Sequence, residues 1–451
     1  MKSRIRGIFL LLAIVLPAIA SWRVQAQITS ESGVNGTGTN VNLEGDQFNI
    51  TGGSLGGENL FHSFEQFGLE EGQIANFILN NPDIENILGR IVGGDSSLIN
   101  GILRITGGNA NLFLMNPAGI VFGPNVRLDL PGSFTATTAT GIGFGEDNWF
   151  NAFGANDYEN LVGTPNTFIF EQTEPRAIIN RGNLEVKEGQ NLTLIGGSVL
   201  NEGDIIVPGG NLTISAVPGE NLVRISQPGS LLSLEIEPLK TAEGENQAIQ
   251  LEDLPILLTG SIDSSEGRIS SSSKTGNGGE INLNATNQIT TGSIDSSSIN
   301  GDGGEINLNA TNQITTGSID SSSINGDGGS VRLKAGGDIE VDYINAEGGI
   351  NSRGGEVDIE TKGFFRATDT FTASNGLEAS ISNIGGSGGG DITIKHGGDR
   401  ETPFIVGDAT ENGTAGSIIT NGDFELVPVQ SLPLITEEGN IKVISIETIL
   451  P

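Results

Sequence analysis

The chain has 451 residues, no cysteine, and 55 acidic against 22 basic residues, which gives a net charge of −33 at pH 7. A field of this sign repels phosphate backbones and excludes nucleic-acid binding. The lack of cysteine excludes disulfides, thiolate catalysis and cysteine-ligated zinc.

The two histidines, His62 and His396, lie far apart among glycine or polar residues. We therefore expect ordinary surface or turn histidines and no histidine-based catalytic or metal site.

The N-terminus has the parts of a secretory signal peptide. Basic residues precede a 13-residue apolar run at positions 8–20, which is too short for a transmembrane helix of about 20 residues. Small residues offer cleavage after Ala20 or after Ala26, and we favour the bond between Ala26 and Gln27. We predict export, with residues 1–26 as the signal peptide and a mature chain of net charge −37.

A 25-residue phrase, GGEINLNATNQITTGSIDSSSINGD, occurs at residues 278–302 and again at 303–327. Weaker copies of its first half begin at Gly328, Gly354 and Gly389. Each unit has a Gly-rich turn, a strand of alternating apolar residues, a second short strand and a polar turn. Repeats of this length are typical of stacked architectures.

A unit of this size cannot bury its own apolar face, but stacked units bury one continuous core. The repeats therefore predict an all-β fold, a parallel β-solenoid, with coils about 4.8 Å apart. Over residues 27–400 about 15 such coils would form a rod roughly 70 Å long. The alternative for residues 259–330 is a disordered spacer rich in serine, glycine and asparagine. The regular alternation of isoleucine, leucine and valine argues against that alternative.

Two Asn-Pro sequences predict tight turns near the start of the chain. One is at residues 81–84 and the other, at residues 116–119, separates two apolar runs. In such turns asparagine caps through its side chain, proline restricts φ, and glycine accepts a positive φ. We take six turn residues as the candidate site and assign none of them a catalytic role: Asn81, Pro82, Asn116, Pro117, Gly119 and Ile120.

The segment ANLFLMNPAGIVFGPN at residues 110–125 resembles the NLxxxNPNGI signature of the filamentous-haemagglutinin N-terminal domain. This is the two-partner secretion domain of large exported adhesins, and the match is to the form often found in cyanobacterial chains. Ala118 replaces the usual asparagine, and NPDI at residues 81–84 resembles the earlier NPNL motif with departures at its last two positions. The resemblance covers about residues 27–250.

The resemblance implies a right-handed parallel β-helix with an N-terminal strand cap. It also implies passage through the periplasm and export by a dedicated outer-membrane β-barrel transporter that recognises this domain. The Asn-Pro motifs are then structural turns that matter for secretion. We divide the mature chain into a secretion domain (27–250), solenoid repeats rich in glycine, serine and asparagine (251–400) and a C-terminal cap or tail (401–451). The resemblance therefore implies a protein that is secreted or displayed at the cell surface. A cell-surface glycan or protein receptor is a further expected partner.

Parallel β-helices also carry polysaccharide-degrading enzymes, which use a basic residue beside clustered aspartates and calcium. The candidates here are Asp302, Asp327 and Arg332, but turn chemistry explains both aspartates, and they lack the calcium-repeat pattern. We therefore predict no enzyme, no cofactor and no metal. The Asn-x-Thr sequences are expected to form stacked side-chain ladders in place of glycosylation sites: Asn49, Asn191, Asn211 and Asn284.

Two functions remain, a secreted or surface-displayed structural adhesin and a cell-contact toxin carrier of the same export class. A carrier needs a C-terminal effector, and residues 401–451 contain no histidine, no cysteine and no nuclease-like constellation. That region is expected to be a terminal cap or a remnant. A truncated relic of a longer adhesin is the third alternative. We predict the exported adhesin.

Overall fold

The computed structural model describes residues 27–145, 148–225, 234–238, 260–398, 402–421 and 424–446. The predicted signal peptide, including Ala26, lies outside these residues. The described chain is built from short strands and one 3₁₀ turn, Tyr158–Asn160. In this part of the chain no helix has the length and apolar character needed to cross a membrane.

The strands are numbered in chain order. The first group is β1 (Ile28–Ser30), β2 (Asn40–Glu44), β3 (Gln47–Thr51), β4 (Ser54–Gly56), β5 (Asn59–Phe67), β6 (Ile74–Ile78), β7 (Asn86–Ile91), β8 (Ser97–Ile99), β9 (Ile102–Thr106), β10 (Asn111–Met115), β11 (Ile120–Phe122), β12 (Arg127–Asp129) and β13 (Phe134–Thr137). The second group is β14 (Gly141–Gly143), β15 (Trp149–Asn151), β16 (Thr167–Phe170), β17 (Ile178–Asn180), β18 (Asn183–Glu185), β19 (Leu192–Gly196), β20 (Val199–Asn201), β21 (Asp204–Ile206), β22 (Leu212–Ala216), β23 (Asn221–Ile225) and β24 (Leu234–Pro238).

The third group is β25 (Ile262–Ser264), β26 (Ile269–Ser270), β27 (Ile281–Ala285), β28 (Ile289–Thr291), β29 (Ile294–Asp295), β30 (Ile306–Ala310), β31 (Ile314–Thr316), β32 (Ile319–Asp320), β33 (Val331–Ala335), β34 (Ile339–Val341) and β35 (Ile344–Asn345). The last group is β36 (Val357–Thr361), β37 (Phe365–Ala367), β38 (Phe371–Thr372), β39 (Glu378–Ser382), β40 (Ile392–His396), β41 (Ile405–Val406), β42 (Gly413–Thr414), β43 (Ser417–Thr420), β44 (Phe424–Leu426), β45 (Gln430–Ser431), β46 (Ile435–Glu438) and β47 (Ile441–Ser445).

The chain winds into a parallel β-helix with three faces, and a complete coil places one strand on each face. The first face runs through β5, β7, β10, β13, β19, β22, β27, β30, β33, β36, β40 and β47. The second face runs from β8 through β11, β17 and β20 to β42. The third face has two parts, β3-β6-β9-β12 and then β18-β21-β26-β29-β32-β35-β39-β43. Alternate side chains of all faces point inward and form one continuous apolar core.

The predicted number of coils was too high. Eleven parallel pairings join the strands of the first face, which spans about 53 Å at 4.8 Å a step. The reason is that the chain leaves the coil path twice, between β13 and β17 and between β22 and β25. Those passages supply an additional antiparallel sheet, β15-β14-β16-β23-β24, which we call the insertion sheet.

The insertion sheet packs on the outer side of the first face and creates a second core. Outward residues of the coils, such as Phe61, Leu88 and Phe113, are buried there against Phe150 and Phe168 of the insertion sheet. Apolar residues on both sides of the same strands are therefore buried. This explains why β10 carries a continuous apolar run where a strand with one solvated face would alternate.

The repeat region forms coils in the expected register. Ile281 pairs with Ile306 and Ile306 pairs with Val331, so identical positions 25 residues apart stack on one another. Each coil also has a third strand that the sequence analysis missed, at Ile294 and again at Ile319. Two residues are too few for the alternation by which strands are recognised, and the only signal was the recurrence of isoleucine. The disordered-spacer alternative is wrong for residues 260–330.

Both ends of the helix carry antiparallel strands. β1 and β4 pair antiparallel with β5, where the N-terminal strand cap was expected. At the other end β44, β45 and β46 each add one antiparallel strand to a different face. Antiparallel end strands interrupt the parallel stacking and cover edges that would otherwise be open for pairing.

Candidate functional site

Asn116 lies at the corner where the first face turns into the second face, and its side chain is fully buried. Its Oδ1 accepts a hydrogen bond from the main-chain N–H of Ala118 at 2.9 Å. Its Nδ2 donates to the carbonyl of Asp95 at 3.0 Å and to the hydroxyl of Ser97 at 2.9 Å. The amide group therefore closes its own turn and also ties that turn to the preceding coil.

Gly119 completes the turn with a φ of +110°, which L side chains rarely adopt. Its N–H donates to the Asn116 carbonyl at 3.0 Å. Pro117 is buried, and Ile120 begins β11 with its side chain in the main core. The predicted turn chemistry, with a capping asparagine and a glycine of positive φ, is confirmed. The neighbouring coils enclose this turn, so Asn116, Pro117 and Gly119 are all buried.

The turn at Asn81 is different. Asn81 and Pro82 are exposed, and the Asn81 Oδ1 accepts one hydrogen bond, from the N–H of Asp83 at 3.0 Å. This turn joins β6 of the third face to β7 of the first face. The two Asn-Pro turns therefore lie on different corners of the helix, and the structure does not bring them together into one site.

A buried arginine is the feature that sequence reasoning missed. Arg90 lies on β7 with no exposed surface, and its guanidinium lies 5.9 Å from the ring centroid of Phe150. The sequence did contain one indication of this buried residue, a single charged side chain within the otherwise apolar segment ILGRIV at residues 87–92. The guanidinium donates to five acceptors: the Ser63 hydroxyl, the carbonyls of Asn35, Asn151 and Gly154 (each 2.8 Å), and the Glu31 carboxylate (3.0 Å).

The partners of Arg90 belong to separate parts of the chain. Glu31 and Asn35 follow β1, Ser63 lies on β5, and Asn151 and Gly154 belong to the insertion sheet and its following loop. Because a buried charge is stable only when it is paired and hydrogen-bonded, all three parts have to be in place together. Arg90 thus joins the N-terminal end, the coils and the insertion sheet into one unit.

Both histidines are buried, which corrects the expectation of surface residues. His62 is 1% exposed, and its Nδ1 lies 3.0 Å from the Thr39 hydroxyl. Burial lowers the pKa of His62 to about 3, so the ring is neutral at physiological pH. His396 is 2% exposed, and burial lowers its pKa also, against the opposing effect of a hydrogen bond to the Gly397 carbonyl. Each histidine ends up inside because it lies on a first-face strand.

The acidic turns of the repeats are stacking elements. The Asp302 N–H donates to Asn277 Oδ1 at 2.9 Å, and the Asp327 N–H donates to Asp302 Oδ1 at 2.9 Å. Asp327 in turn accepts from the N–H of Arg353 at 2.8 Å. Each carboxylate therefore caps the backbone of the next coil. The described residues contain no group of three or more acidic or histidine side chains placed to hold a metal ion.

Three of the four asparagines of the Asn-x-Thr sequences, Asn49, Asn191 and Asn211, accept hydrogen bonds from a neighbouring coil. Asn49 accepts from the side-chain amide of Asn76 at 3.3 Å. Asn191 accepts from the N–H of Asn211, and Asn211 accepts from the N–H of Glu280. Gln27, at the predicted cleavage point, is exposed, and its carbonyl accepts from the N–H of Gly68 at 3.1 Å.

Comparison with known proteins gives one family. Residues 26–271 match the model of the TPS secretion domain. No curated protein matches the chain. Among solved structures, the crystal structure of the HMW1 secretion domain from Haemophilus influenzae is similar, with 19% sequence identity and a TM-score of 0.44. That match covers 82% of this chain and 95% of the HMW1 chain.

Proposed function

Because the chain belongs to the TPS secretion-domain family, we propose that it is an adhesive exoprotein whose N-terminal coils are recognised by a dedicated outer-membrane β-barrel transporter. The family itself makes the chain an exoprotein of the two-partner system, secreted across the outer membrane by a domain of a non-enzymatic type. The proposal adds the adhesive role and the recognition of this domain by its own transporter.

The adhesive role is supported by the architecture of the residues that follow the family match, which ends at residue 271. The three faces continue past residue 271 without change and end in the antiparallel strands β44, β45 and β46. The described part of residues 401–451 is therefore the end of the same helix and has no separate effector fold. This supports a structural, adhesive role, because a continuous stack of coils offers an extended surface to a binding partner.

Cell fractionation tests the export half of the proposal. We expect extracellular protein when the candidate transporter gene is present and periplasmic accumulation when it is deleted. The adhesive half is tested separately, by attachment to host or neighbouring cells of strains with and without the gene for this chain. Equal amounts of extracellular protein with and without the transporter gene would contradict the proposed export route. Equal attachment of strains with and without the gene for this chain would contradict the adhesive role.

We propose further that the turn at Asn116 contributes to export through the shape of its coil corner. Asn116→Ala and Gly119→Val should lower the ratio of extracellular to periplasmic protein more severely than they lower the melting temperature. Gly292→Ala is the control, since Gly292 has no positive φ and an added Cβ meets no atom closer than 3.4 Å. Normal export of both turn variants would show that this motif is not part of the secretion signal.

A further inference from the structure

The chain contains eight Asn-Gly pairs. Asparagine is thermolabile, because the nitrogen of the following peptide bond attacks its side-chain amide. Glycine leaves that nitrogen unhindered, since it has no Cβ. Seven of the pairs lie wholly within the described residues, and their asparagines are Asn35, Asn100, Asn277, Asn300, Asn325, Asn375 and Asn412. How the fold holds each side chain decides which of them reacts.

In five of these pairs the side-chain amide is hydrogen-bonded to a neighbouring coil. Asn300 donates from Nδ2 to the Lys274 carbonyl at 2.7 Å, and Asn325 donates from Nδ2 to the Ile299 carbonyl at 2.8 Å. The remaining partners are main-chain N–H groups, which donate to the Oδ1 of Asn100 (from Asn125, 2.9 Å), Asn277 (from Asp302, 2.9 Å) and Asn412 (from Phe365, 3.3 Å). Each of these bonds has to break before the amide reaches its own main chain.

Asn35 is held through its main chain instead. Its carbonyl accepts a hydrogen bond at 2.8 Å from the guanidinium of Arg90, which is fully buried. Attack on the side chain requires rotation about the bond between Cα and the carbonyl carbon, and this rotation moves the carbonyl oxygen away from Arg90. The rotation is disfavoured because it leaves a buried charged donor without one of its acceptors.

Asn375 differs from the other six asparagines. It lies in the exposed turn between β38 and β39, and its Oδ1 accepts a hydrogen bond at 3.1 Å from the N–H of Leu377, two residues further on. Such an Asx turn folds the side chain back over its own backbone, so Cγ lies beside the nitrogen of Gly376. In the part of the chain that the structure describes, its amide is bonded to no other coil.

The attacking nitrogen is restrained to the same degree in this turn as in the repeats. The N–H of Gly376 donates to the carbonyl of Ala373 at 2.8 Å, a bond inside the turn that has to open before attack. The N–H of Gly301, which follows Asn300, donates in the same way to the Ser298 hydroxyl at 2.9 Å. The difference between the two sites therefore lies in the side-chain amide.

We propose that Asn375 deamidates spontaneously in the folded protein. The Gly376 nitrogen loses its proton to hydroxide and bonds to Cγ, while the Leu377 N–H stabilises the negative charge that develops on Oδ1. The bond between Cγ and Nδ2 breaks, and Nδ2 leaves as ammonia after taking a proton from water. The product is a cyclic succinimide, and water opens it at either carbonyl to give aspartate or isoaspartate.

The reaction changes the charge and the length of the main chain at the tip of this hairpin. The N–H of Ser374 already donates to the carboxylate of Glu347 at 3.1 Å, so the new carboxylate forms near an acidic side chain. Isoaspartate also lengthens the main chain of the turn by a methylene group. We expect the β38–β39 hairpin to loosen while the three faces stay intact. The site follows the family match, which ends at residue 271, and is separate from the proposed export role.

The test incubates the mature chain at mildly alkaline pH and follows tryptic peptides by mass spectrometry. The peptide of residues 367–395 has the pair at Asn375, and the peptide of residues 91–104 has the pair at Asn100. The mass gain of replacing NH₂ by OH should grow about fivefold faster in the first peptide, because a hydrogen bond to the neighbouring coil has to break at Asn100. The peptide of residues 275–332 contains three pairs and should still gain mass more slowly than residues 367–395.

Two controls separate the fold from the chemistry. A sample digested before incubation gives the modification caused by digestion, and in the chain unfolded by denaturant all pairs should react at similar rates. Gly376→Ala adds a methyl group beside the attacking nitrogen, and no atom lies within 4 Å of the added Cβ. This variant should lose most of the mass gain in residues 367–395 and keep that in residues 91–104.

Three results would overturn the proposal. One is an equal rate for each pair in the folded chain. Another is an unmodified Asn375 in the folded chain at the time when the unfolded chain has reacted completely. The third is an unchanged mass gain in the Gly376→Ala variant.

Discussion

The N-terminal coils (residues 27–216) and the repeat coils (residues 260–345) share three faces, yet different contacts hold them together. The N-terminal coils have aromatic cores on both sides of the first face, and Arg90 links segments more than 50 residues apart. In the repeat coils the ladders join a residue to the equivalent residue 25 positions away. We therefore expect the first region to unfold as one cooperative unit, and the second to behave as a stack in which each coil depends on its neighbours.

The sharpest test of this contrast removes one coil from each region. Deleting residues 278–302 preserves the 25-residue phase, so we expect the remaining coils to re-register with a small change in melting temperature. Deleting residues 86–110 also preserves phase, because Asn111 pairs with Asn86, but it removes Arg90 and part of the second core. We expect that variant not to fold cooperatively, as measured by circular dichroism and denaturant unfolding. Equal losses in the two variants would contradict the contrast.

The next test compares the loss of one arginine from each region, Arg90 and Arg332. Arg90→Met leaves Glu31 and three carbonyls without their donor and should lower the free energy of unfolding by about 3–5 kcal/mol. Arg332 in the repeats pairs with Glu305, but its side chain is 46% exposed. Arg332→Met should therefore cost about 0–1 kcal/mol. Denaturant titration measures both, and a loss at Arg90 no larger than that at Arg332 would show that the buried network is not a link.

The two Asn-Pro turns provide a comparison inside the N-terminal region. Asn116→Ala removes the three hydrogen bonds of a fully buried side chain and should cost about 1–3 kcal/mol. Asn81→Ala removes one exposed hydrogen bond, and surface changes of this kind stay within about 0.5 kcal/mol. Melting curves of the purified variants compare the two stability losses. A larger loss for Asn81→Ala than for Asn116→Ala would contradict this prediction.

The smallest effect is a pH dependence that His62 gives to the first coil. Its folded pKa of about 3 lies below the value of 6.5 for an ordinary histidine, so between these values the unfolded chain binds the proton and the folded chain does not. The stabilisation by neutral His62 is therefore complete above pH 6.5 and is lost as the pH falls toward 3. Between pH 7 and 5.5 this amounts to about 1 kcal/mol.

His62→Gln removes that titration, so its unfolding free energy should change less over the same pH range than that of the unaltered chain. His396→Gln is measured beside it, because burial lowers the pKa of His396 as well. Identical pH profiles for the unaltered chain and the His62 variant would show that the ring is not held neutral in the folded state.

The repeats, the short strands and the turn at Asn116 could be predicted because their information is local. Ile281 and Leu283 alternate within one strand, their copies recur 25 residues later, and a glycine three residues after asparagine indicates the turn. Stacking of equivalent positions then follows from the need to bury the apolar face. The sequence by itself therefore determined the parallel solenoid, its register in the repeats and the chemistry of its best-marked turn.

Only the tertiary structure decided how many coils there are, which outward apolar residues are covered, and where the charged and titratable residues lie. Phe113 and Met115 are buried because the insertion sheet covers them, and Arg90 is buried because its partners converge from three segments. The enclosure of Asn116 likewise depends on the neighbouring coil. These contacts join residues without a shared pattern or a fixed spacing, so no periodicity in the sequence records them.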